Sequence, residues 1–472
     1  MKIIGREKEQ ELLGRCLESK RPELLVVYGR MRVGKTYLIR EYFKNRFAFY
    51  TSGIPRRNTT EELRVFHVSL SEYGDDMNKQ PVDWIEAFSR LKRILMSEHV
   101  RRDPISGKRV VFLDEVPWMD TESSDFKAGL DFFWNTWGSA QEDLLLIVCG
   151  SATSWVITHL LNDEGGFYQR VTHRMHVLPF TLKECELLLS ENSVPINHRQ
   201  IMSYYLVFGG IPFYLCLIDS RLSIDQNINE LFFKEHGELR YEYDHLFRSL
   251  FQKPEKHVTI VNTLCFRHNG MTRTELVKKS GVDDDESLTR VLNELMECGF
   301  IRKYQNYEKE ESGNFYQVID PFILFCNRFM PSQSSLNWLS YIHTPEYYAW
   351  RGLAFEILCL NHIDQIKDRL GISGIESNVY SWRSTNSQPA VQIDLLIDRR
   401  DDVINLCEMK FTNDPFTLSS EEERKLLTRM STFQNETGTR KAIHLTLVSA
   451  EGITGNIGSL TRVITGEDLF KV

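Results

Sequence analysis

The chain has 472 residues, a hydrophobic fraction of 42%, a charged fraction of 26% and a formal net charge of −8. This composition is typical of a globular protein, and the length exceeds one ordinary hydrophobic core, so we expect about two to four domains. A net negative surface repels nucleic acid, so any nucleic-acid role requires a local basic groove.

Three further features narrow the class of protein. The sequence has no run of about 18 apolar residues, so we expect no transmembrane helix. Residues 1–7 turn polar at once, which predicts no secretory signal. The 9 cysteines are scattered and form no CxxC pair, which argues against a zinc knuckle or a disulfide scaffold. We therefore expect a cytoplasmic protein with no membrane partner.

In the first part of the chain, short apolar runs alternate with helical patterns, which is typical of a parallel sheet with crossover helices. The predicted strands are residues 24–28, 47–51, 110–113, 144–149 and 175–178. After Pro179 the pattern becomes helical, and the predicted helices are residues 182–189, 201–208 and 228–233. Gly209, Gly210 and Pro212 are expected to break this helical array.

Two further folding units are predicted beyond residue 250. Helices at 258–266, 272–277 and 287–298, followed by strands at 300–304 and 315–318, have the order of a winged helix-turn-helix. Residues 330–335 form the best linker candidate, and strands and helices alternate after a helix at 349–360. We predict an α/β chain with four domains: a parallel sheet with crossover helices (1–180), a helical lid (181–250), a winged helix (251–335) and a second α/β domain (336–472).

A phosphate-binding loop is predicted directly after the first strand. Eight residues match the pattern G-x-x-x-x-G-K-[ST] between a strand and a helix, namely Gly29, Arg30, Met31, Arg32, Val33, Gly34, Lys35 and Thr36. Glycines let backbone N–H groups turn toward phosphate oxygens, and the helix N-terminus adds a positive dipole. Lys35 would neutralise the β- and γ-phosphates of ATP, and Thr36 would ligate Mg²⁺. The strand–loop–helix context disfavours the alternative, a chance glycine turn.

Two carboxylates end the apolar strand at residues 109–113. Asp114 is placed to hold Mg²⁺ through water, and Glu115 to polarise the water that attacks the γ-phosphate. The alternative is an acidic pair that only caps the turn before Pro117. The phosphate loop upstream favours the catalytic role. The sequence therefore predicts an ATPase with ATP and Mg²⁺ as its ligands.

About the first half of the chain resembles the archaeal-type ATPase family within the AAA+/STAND group of P-loop NTPases. The resemblance rests on the phosphate loop, the Leu-Asp-Glu run ending at Glu115, the Cys-Gly-Ser run ending at Ser151, and the short segments at residues 4–7, 178–180 and 209–212. It implies that Ser151 senses the γ-phosphate, that Arg170 or, less well, Arg174 acts as an arginine finger, and that Pro212 approaches the base.

The resemblance places Gly5 and Arg6 on the other side of that base. Simpler roles remain open for each of these positions. Ser151 could cap the helix after it, Arg170 could be a solvated charge, and Gly209 and Gly210 could be a plain helix stop.

The predicted winged helix has an unfavourable charge pattern for DNA. Its third helix follows four acids, Asp283, Asp284, Asp285 and Glu286, and carries Arg290 as its single base. Carboxylates at this position would face phosphates. We therefore favour a structural or partner-binding winged helix, with a partner protein or a second copy of the chain as the binding partner.

A second cluster of acids and lysine lies near the C-terminus. Residues two apart in a strand share a face, so Glu408 and Lys410 project together. Asp394 joins them if residues 392–398 and 404–411 pair as a hairpin. Two carboxylates can ligate Mg²⁺, and Lys410 can orient a water or offset charge on phosphorus. Glu356 is an acid in an apolar helical stretch, which requires an explanation.

Residues 350–449 are similar to the PD-(D/E)XK nuclease superfamily. The similarity implies a metal site of Asp394, Glu408 and Glu356, with Lys410 as a catalytic residue. We thus predict an ATPase whose nucleotide state controls a Mg²⁺-dependent nuclease-like domain, with DNA as its expected partner. The alternative is a nucleotide-switched signalling scaffold whose nuclease-like domain is catalytically dead. A basic groove around Asp394, from Arg383, Arg399 and Arg400, would favour the nuclease, and an occluded site the scaffold.

Overall fold

The computed structural model describes residues 2–121, 124–151, 153–161, 170–194, 196–251, 253–267, 270–305, 307, 314–330, 337–384 and 391–471. The chain divides into two compact units, Met1–Leu178 with Ser249–Gln252, and Pro179–Arg248 with Lys253–Val472. No helix in the described ranges is long and apolar enough to cross a membrane. Of the predicted linker at 330–335, only Met330 is described.

The first unit is built on a parallel five-stranded sheet, as predicted. Its strands are β1 (Glu23–Tyr28), β2 (Phe49–Ser52), β3 (Arg109–Asp114), β4 (Leu144–Gly150) and β5 (His173–His176), in the order β2-β3-β4-β1-β5. Its helices are α1 (Glu7–Glu18), α2 (Lys35–Tyr42), α3 (Thr59–Glu72), α4 (Trp84–Leu95), α5 (Val116–Met119), α6 (Phe126–Thr136) and α7 (Thr153–Val156). Strand β4 therefore separates β1 from β3.

The main core of this unit lies between the sheet and helices α3, α4 and α6. Trp84 packs edge-to-face on Phe66 and Phe126, with ring centroids 5.3 and 4.9 Å apart. A Cβ at Gly129 would lie 3.0 Å from the Trp84 backbone, so the glycine allows α6 to approach α4 closely. Burial of these large rings is a major source of the unit's stability, since each removes about 150–250 Å² from water.

Two predicted strands are displaced by about two residues. The strand predicted at 175–178 is β5, and the one predicted at 47–51 is β2. Strand β5 lies at the edge of the sheet, and its polar residues His173, Arg174 and His176 are partly or largely exposed. An edge strand needs no continuous apolar run, so the apolar pattern misplaced it.

The second unit begins with short helices. These are α8 (Leu182–Glu191), α9 (His198–Phe208), α10 (Pro212–Leu215), α11 (Ile224–Ile228) and α12 (Glu242–Leu250). As predicted, α9 ends before Gly209, whose φ is 65°, and α10 begins at Pro212. The helix predicted at 228–233 is instead a π-helical turn, Asn229–Phe233, that continues α11.

A middle module follows, which we define as residues 255–318. It contains α13 (Glu255–Cys265), β6 (Met271–Thr272), α14 (Arg273–Ser280), α15 (Glu286–Glu297), β7 (Ile301–Gln305) and β8 (Asn314–Val318), with an antiparallel sheet in the order β6-β8-β7. Two of the acids before α15 have partners, since Lys256 Nζ lies 3.0 Å from Asp285 and Arg273 Nε 2.6 Å from Asp284. The acidic run is thus partly neutralised within the module.

The last part of the second unit is a mixed α/β fold. Its elements are α16 (Pro321–Phe329), α17 (Pro345–Asn361), α18 (Ile363–Leu370), β9 (Ser377–Arg383), β10 (Gln392–Arg399), β11 (Val403–Lys410), β12 (Phe416–Thr417), α19 (Ser420–Thr437), β13 (Ala442–Ser449), β14 (Ile453–Thr454) and β15 (Arg462–Thr465). The main sheet has the order β15-β13-β11-β10-β9. The predicted hairpin is present, because β10 and β11 pair antiparallel from Leu395–Cys407 to Asp398–Ile404.

Candidate functional site

The predicted phosphate loop joins β1 to α2, and its two glycines are required by geometry. Gly29 has a φ of 146°, and a Cβ there would lie 2.3 Å from the carbonyl oxygen of Val177. Gly34 has a φ of 90° and forms the N-cap of α2. A larger residue at either position would strain the backbone. The loop therefore has the left-handed turn and helix N-terminus that suit a phosphate group.

Lys35 and Thr36 are the first two residues of α2, and their side chains contact different groups. Lys35 is buried, and its Nζ donates to the carbonyl oxygens of Gly29 and Arg30 at 3.0 and 2.9 Å. Thr36 Oγ1 donates to Asp114 Oδ2 at 2.8 Å. The ammonium group thus lies within the loop, and the hydroxyl connects the loop to the end of β3.

The remaining loop residues are anchored to the rest of the first unit. Arg30 and Val33 are buried, and Arg32 has a φ of 70°. The Met31 sulfur accepts a hydrogen bond from the Ser249 hydroxyl at 3.1 Å. Arg6, which precedes α1, donates to the Val33 carbonyl oxygen at 3.1 Å. The structure therefore brings Arg6 directly to the phosphate loop.

The carboxylates at the end of β3 occupy different environments. Asp114 is buried, and desolvation followed by repulsion from Glu115 raises its pKa to about 6, against the lowering effect of the Thr36 hydrogen bond. A desolvated carboxylate beside a hydroxyl is a hard oxygen donor set, which suits Mg²⁺. A cation bound there would offset the repulsion between the two acids, so Thr36 and Asp114 fit the ion.

Ser151 contacts Glu115 because the strands that these residues follow, β4 and β3, are neighbours in the sheet. The Ser151 backbone N–H donates to Glu115 Oε2 at 3.2 Å, and its hydroxyl donates to Glu115 Oε1. Glu115 itself has a φ of 49°, which turns the chain at the end of the strand. Two donors therefore fix the orientation of the predicted base. A γ-phosphate sensor role for Ser151 stays a prediction.

The two arginines proposed as fingers contact other groups of the first unit. Arg170 is half-exposed and pairs with Asp131 of α6. Arg174 donates to the Leu161 carbonyl oxygen at 3.2 Å. Pro212 is the first residue of α10 in the second unit, and its approach to a base stays a prediction.

In the second unit, the acids and lysine of the hairpin come together as expected. The register of β10 and β11 sets Asp394 beside Glu408, one residue beyond the Leu395–Cys407 pair. Lys410 Nζ lies 2.8 Å from Glu408 Oε1. The side-chain amide of Gln392 donates to Asp394 Oδ1 at 2.5 Å. We call Glu356, Asp394, Glu408 and Lys410 the carboxylate cluster.

Glu356 of α17 shares the environment of the two strand acids. Burial, followed by repulsion from Asp394 and Glu408, raises the pKa of Glu356 to about 9. Burial also raises the pKa of Asp394. Buried acids that repel one another and offer hard oxygen donors fit a divalent cation. Across the described residues, however, no group of three or more His, Cys, Asp and Glu is arranged to hold a metal ion.

Sequence reasoning missed one cation in this cluster. Arg429 of α19 pairs with Glu408 Oε2, opposite the contact that Lys410 makes. Helix α19 connects β11 to β13, and these strands are parallel neighbours, so the helix crosses the sheet beside Glu408. Arg429 lies 21 residues from Glu408 in the chain, and no local motif marks it.

Of the three arginines whose grouping around Asp394 would favour the nuclease, two lie away from that residue. Arg399 pairs with Asp401, and Arg400 Nη2 lies 2.9 Å from Glu376 Oε1. Both lie at the turn of the β10–β11 hairpin, at the opposite end of β10 from Asp394. A strand rises about 3.3 Å per residue, so a separation of five residues removes Arg399 from the cluster. Arg383, in contrast, is the register partner of Gln392.

Comparison with known proteins decides the class of the nucleotide-binding part. Residues 3–218 match a family described as an ATPase domain predominantly from Archaea. The chain carries an archaeal-type ATPase domain. The matched region includes the phosphate loop, the acids that end β3, and helices α8 to α10 of the second unit.

Two proteins of Methanocaldococcus jannaschii are similar to this chain in sequence. An uncharacterized protein is 25% identical over 342 residues, which cover 71% of this chain and 70% of the relative. An uncharacterized ATP-binding protein is 40% identical over 44 residues, which cover 9% of this chain and 75% of the relative. The first similarity extends well beyond the length of an ATPase domain alone.

Solved structures are also similar to this chain, at lower sequence identity. A Walker-type ATPase of Pyrococcus abyssi is 20% identical with a TM-score of 0.49, and the alignment covers 69% of this chain and 96% of that one. An ORC2 protein of Aeropyrum pernix is 12% identical with a TM-score of 0.42, over 77% of this chain and 96% of that one.

Proposed function

We propose that this chain is an ATP-hydrolysing member of the AAA+/STAND group whose nucleotide state controls a Mg²⁺-dependent, nuclease-like C-terminal domain that acts on nucleic acid. The observation that carries the ATPase part is the hydrogen bond between Thr36 and Asp114, beside a Glu115 held by Ser151. The proposed domains are the ATPase core (1–180), the lid (181–250), the winged helix (251–335) and the nuclease-like domain (336–472).

In the proposed ATPase site, each chain residue has a separate task. Lys35 offsets the charge of the β- and γ-phosphates, and the loop's backbone N–H groups orient them. Thr36 and Asp114 would hold Mg²⁺, which supplies positive charge to the phosphates when bound. Glu115 accepts a proton from the attacking water, and the two Ser151 donors hold its carboxylate in place.

The proposed winged helix is supported by the order of elements in the middle module. Three helices precede the paired strands β7 and β8, and β6 adds a third strand before α14. Thr272 and Glu275 form a capping box that begins α14, and Asp285 caps α15. The caps define where each helix starts, as the turn between two packed helices requires.

The proposed nuclease-like domain is supported by the carboxylate cluster. Asp394 and Glu408 lie on adjacent strands, Lys410 shares the face of Glu408, and Glu356 approaches from α17. A bound divalent ion would supply Lewis acidity beside a phosphodiester. Lys410 would offset charge on the phosphorus, and Asp394, Glu408 and Glu356 would hold the ion.

Control by nucleotide is supported by contacts within the second unit. His362 caps α17, and its Nε2 accepts a hydrogen bond from the Leu182 N–H at 2.9 Å, at the first residue of α8. Burial lowers the pKa of His362 to about 4, so the ring is neutral and can accept this bond. Helix α17 also carries Glu356. The first helix of the proposed lid therefore contacts the end of α17, the helix that carries Glu356 of the carboxylate cluster.

The carboxylate cluster can be tested without knowing a substrate. The full-length protein is first freed of metal with EDTA, and the EDTA is then removed. Mg²⁺ or Mn²⁺ is expected to raise its melting temperature, because an ion that binds only the folded state stabilises it. Asp394→Ala and Glu408→Ala should lose the increase attributable to this site. Lys410→Ala should keep most of it, since lysine is not a ligand. Differential scanning fluorimetry without nucleotide, in an Asp114→Asn background, removes the contribution of metal at the nucleotide site, because Asp114 is the acid proposed to hold it there.

The control for this experiment is Asp398→Ala. Asp398 lies on β10, the strand that also carries Asp394, and it pairs with Lys441 at 2.7 Å, away from the cluster. It should retain the metal-dependent increase. Equal melting with and without metal in the parent protein would exclude the metal site and leave the scaffold function.

One observation favours that second function. The Glu408 carboxylate already has two cationic partners, Lys410 on one oxygen and Arg429 on the other. A cluster neutralised by its own side chains can be stable without metal. In this alternative the chain is a nucleotide-switched signalling scaffold, and its nuclease-like domain binds a partner protein or a second copy.

Arg170 offers a test of assembly. If it acts as an arginine finger on a neighbouring subunit, the specific ATPase rate should rise with protein concentration, and Arg170→Ala should lower it about 10³-fold or more. Arg102→Ala, which also breaks an arginine–aspartate pair of the first unit, serves as the control. Turnover that is independent of concentration and insensitive to Arg170→Ala would reject the finger role.

A further inference from the structure

Three arginines from separate elements lie around Tyr304 and Glu275, where the middle module meets edge strand β9. The Arg302 guanidinium lies 4.6 Å from the Tyr304 ring centroid. Arg267 Nη1 and Arg383 Nη1 lie 2.6 and 3.8 Å from the same oxygen of Glu275. Arg302 lies on β7, Arg267 follows α13, and Arg383 lies on β9. These elements are far apart in the chain.

Arg302 is held in a fixed position beside the carboxylate cluster. Its Nε donates to Gln317 Oε1 at 2.9 Å, and its Nη2 to the Ser381 hydroxyl at 3.4 Å. The same hydroxyl donates to the backbone oxygen of Asp394 at 2.7 Å. Burial lowers the pKa of Arg302 to about 10, so it stays charged at neutral pH. Two hydrogen bonds therefore connect this cation to Asp394.

Arg383 lies on β9, the strand that pairs with β10 on the side away from β11. It is the register partner of Gln392, whose amide donates to Asp394 Oδ1. The Arg383 and Arg267 side chains are 32% and 23% exposed, so solvent and ligands can reach both. The charges of all three arginines act on the Tyr304 phenol, as does that of Asp394.

The charge balance of this junction favours an anion. Within the described part of the chain, the contacts above bring three guanidinium groups to two carboxylates, those of Glu275 and Asp394. A guanidinium that is already fixed loses little entropy on binding and matches the geometry of a phosphate oxygen pair. The chain as a whole is acidic, so a local excess of positive charge beside Asp394 is what a nucleic-acid role requires.

We propose that Arg267, Arg302 and Arg383 form a phosphodiester-binding site that holds the backbone of a nucleic-acid strand beside Asp394. The middle module then serves the carboxylate cluster by supplying two of the three arginines, and it does not read bases with α15. This inference rests on the proposed function of that cluster. It accounts for the acidic start of α15, because that helix need not face phosphates.

The inference is tested with full-length protein and labelled oligonucleotides in EDTA, by fluorescence anisotropy over a range of salt concentrations. Single-stranded DNA, duplex DNA and single-stranded RNA of several unrelated sequences are the probes. Arg383→Gln and Arg267→Gln should each weaken binding about tenfold at low salt, equally for all sequences. Each should also reduce the slope of log K against log salt by about 0.7–0.9.

Arg302 needs a variant that retains its charge, because removing a buried, hydrogen-bonded cation can unfold the module. Arg302→Lys keeps the charge but loses the bond to Ser381 or Gln317. It should weaken binding less than Arg383→Gln, with a salt slope equal to that of the wild type. The melting temperature of each variant establishes that it is folded.

Arg400→Gln is the matched control, since it makes the same charge change on the same sheet at the far end of β10. It should bind like the wild type. Equal weakening by Arg400→Gln, or wild-type binding by Arg383→Gln and Arg267→Gln, overturns the inference, as does a wild type that binds none of the probes at low salt. Because EDTA removes metal, failure of the metal site appears only in the melting experiment, and failure of the arginine site only here.

Discussion

Lys35→Ala is expected to abolish ATP binding, with an affinity loss of about 10³-fold or more. The Lys35 ammonium group lies inside the phosphate loop, where it donates to the Gly29 and Arg30 carbonyl oxygens. A bound nucleotide would replace these carbonyls with phosphate oxygens, and a charge-assisted hydrogen bond in a desolvated site contributes several kcal/mol. Isothermal titration calorimetry with ATP and Mg²⁺ measures the loss.

The chain offers a closely matched control for this change. Lys108 is also buried in the first unit, and its Nζ also donates to two carbonyl oxygens, those of Arg21 and Glu142, at 2.8 and 3.1 Å. Lys108→Ala removes the same groups from a comparable environment outside the loop. It should lower the melting temperature and leave ATP affinity unchanged. If Lys35→Ala binds ATP like the wild type, the phosphate-loop assignment is wrong.

Glu115→Gln is expected to keep ATP binding and to lower the hydrolysis rate by about 10²–10⁴-fold, the usual contribution of a general base. The amide has the shape of the carboxylate, and its oxygen can still accept from the Ser151 N–H. It cannot take a proton from water. The expected result is therefore a stable ATP complex, measured by single-turnover hydrolysis alongside calorimetry.

Glu23→Gln is the control for Glu115→Gln. Glu23 is buried at the start of β1, at the opposite end of the sheet from the phosphate loop. The same acid-to-amide change there should leave the hydrolysis rate within the experimental scatter of the wild type. Wild-type turnover by Glu115→Gln would assign the base to another residue.

Features that depend only on neighbouring residues could be predicted from the sequence. The phosphate loop could be predicted because Gly29 and Gly34 are needed for left-handed backbone turns, and a strand and a helix flank them. The β10–β11 hairpin could be predicted because its strands are apolar and a short polar turn joins them. Such local patterns fix the backbone conformation before any tertiary contact forms. The edge strand β5 was misplaced because edge strands lack that pattern.

Contacts between side chains that are distant in the sequence became known only from the fold. Ser151 reaches Glu115 because β4 lies between β1 and β3, which is a matter of strand order. Arg429 reaches Glu408 because α19 crosses the sheet between parallel strands. Arg267 and Arg383 both contact Glu275, although 116 positions separate them in the sequence. Contacts of this kind follow from sheet order, register and crossover position, and no local sequence pattern encodes them.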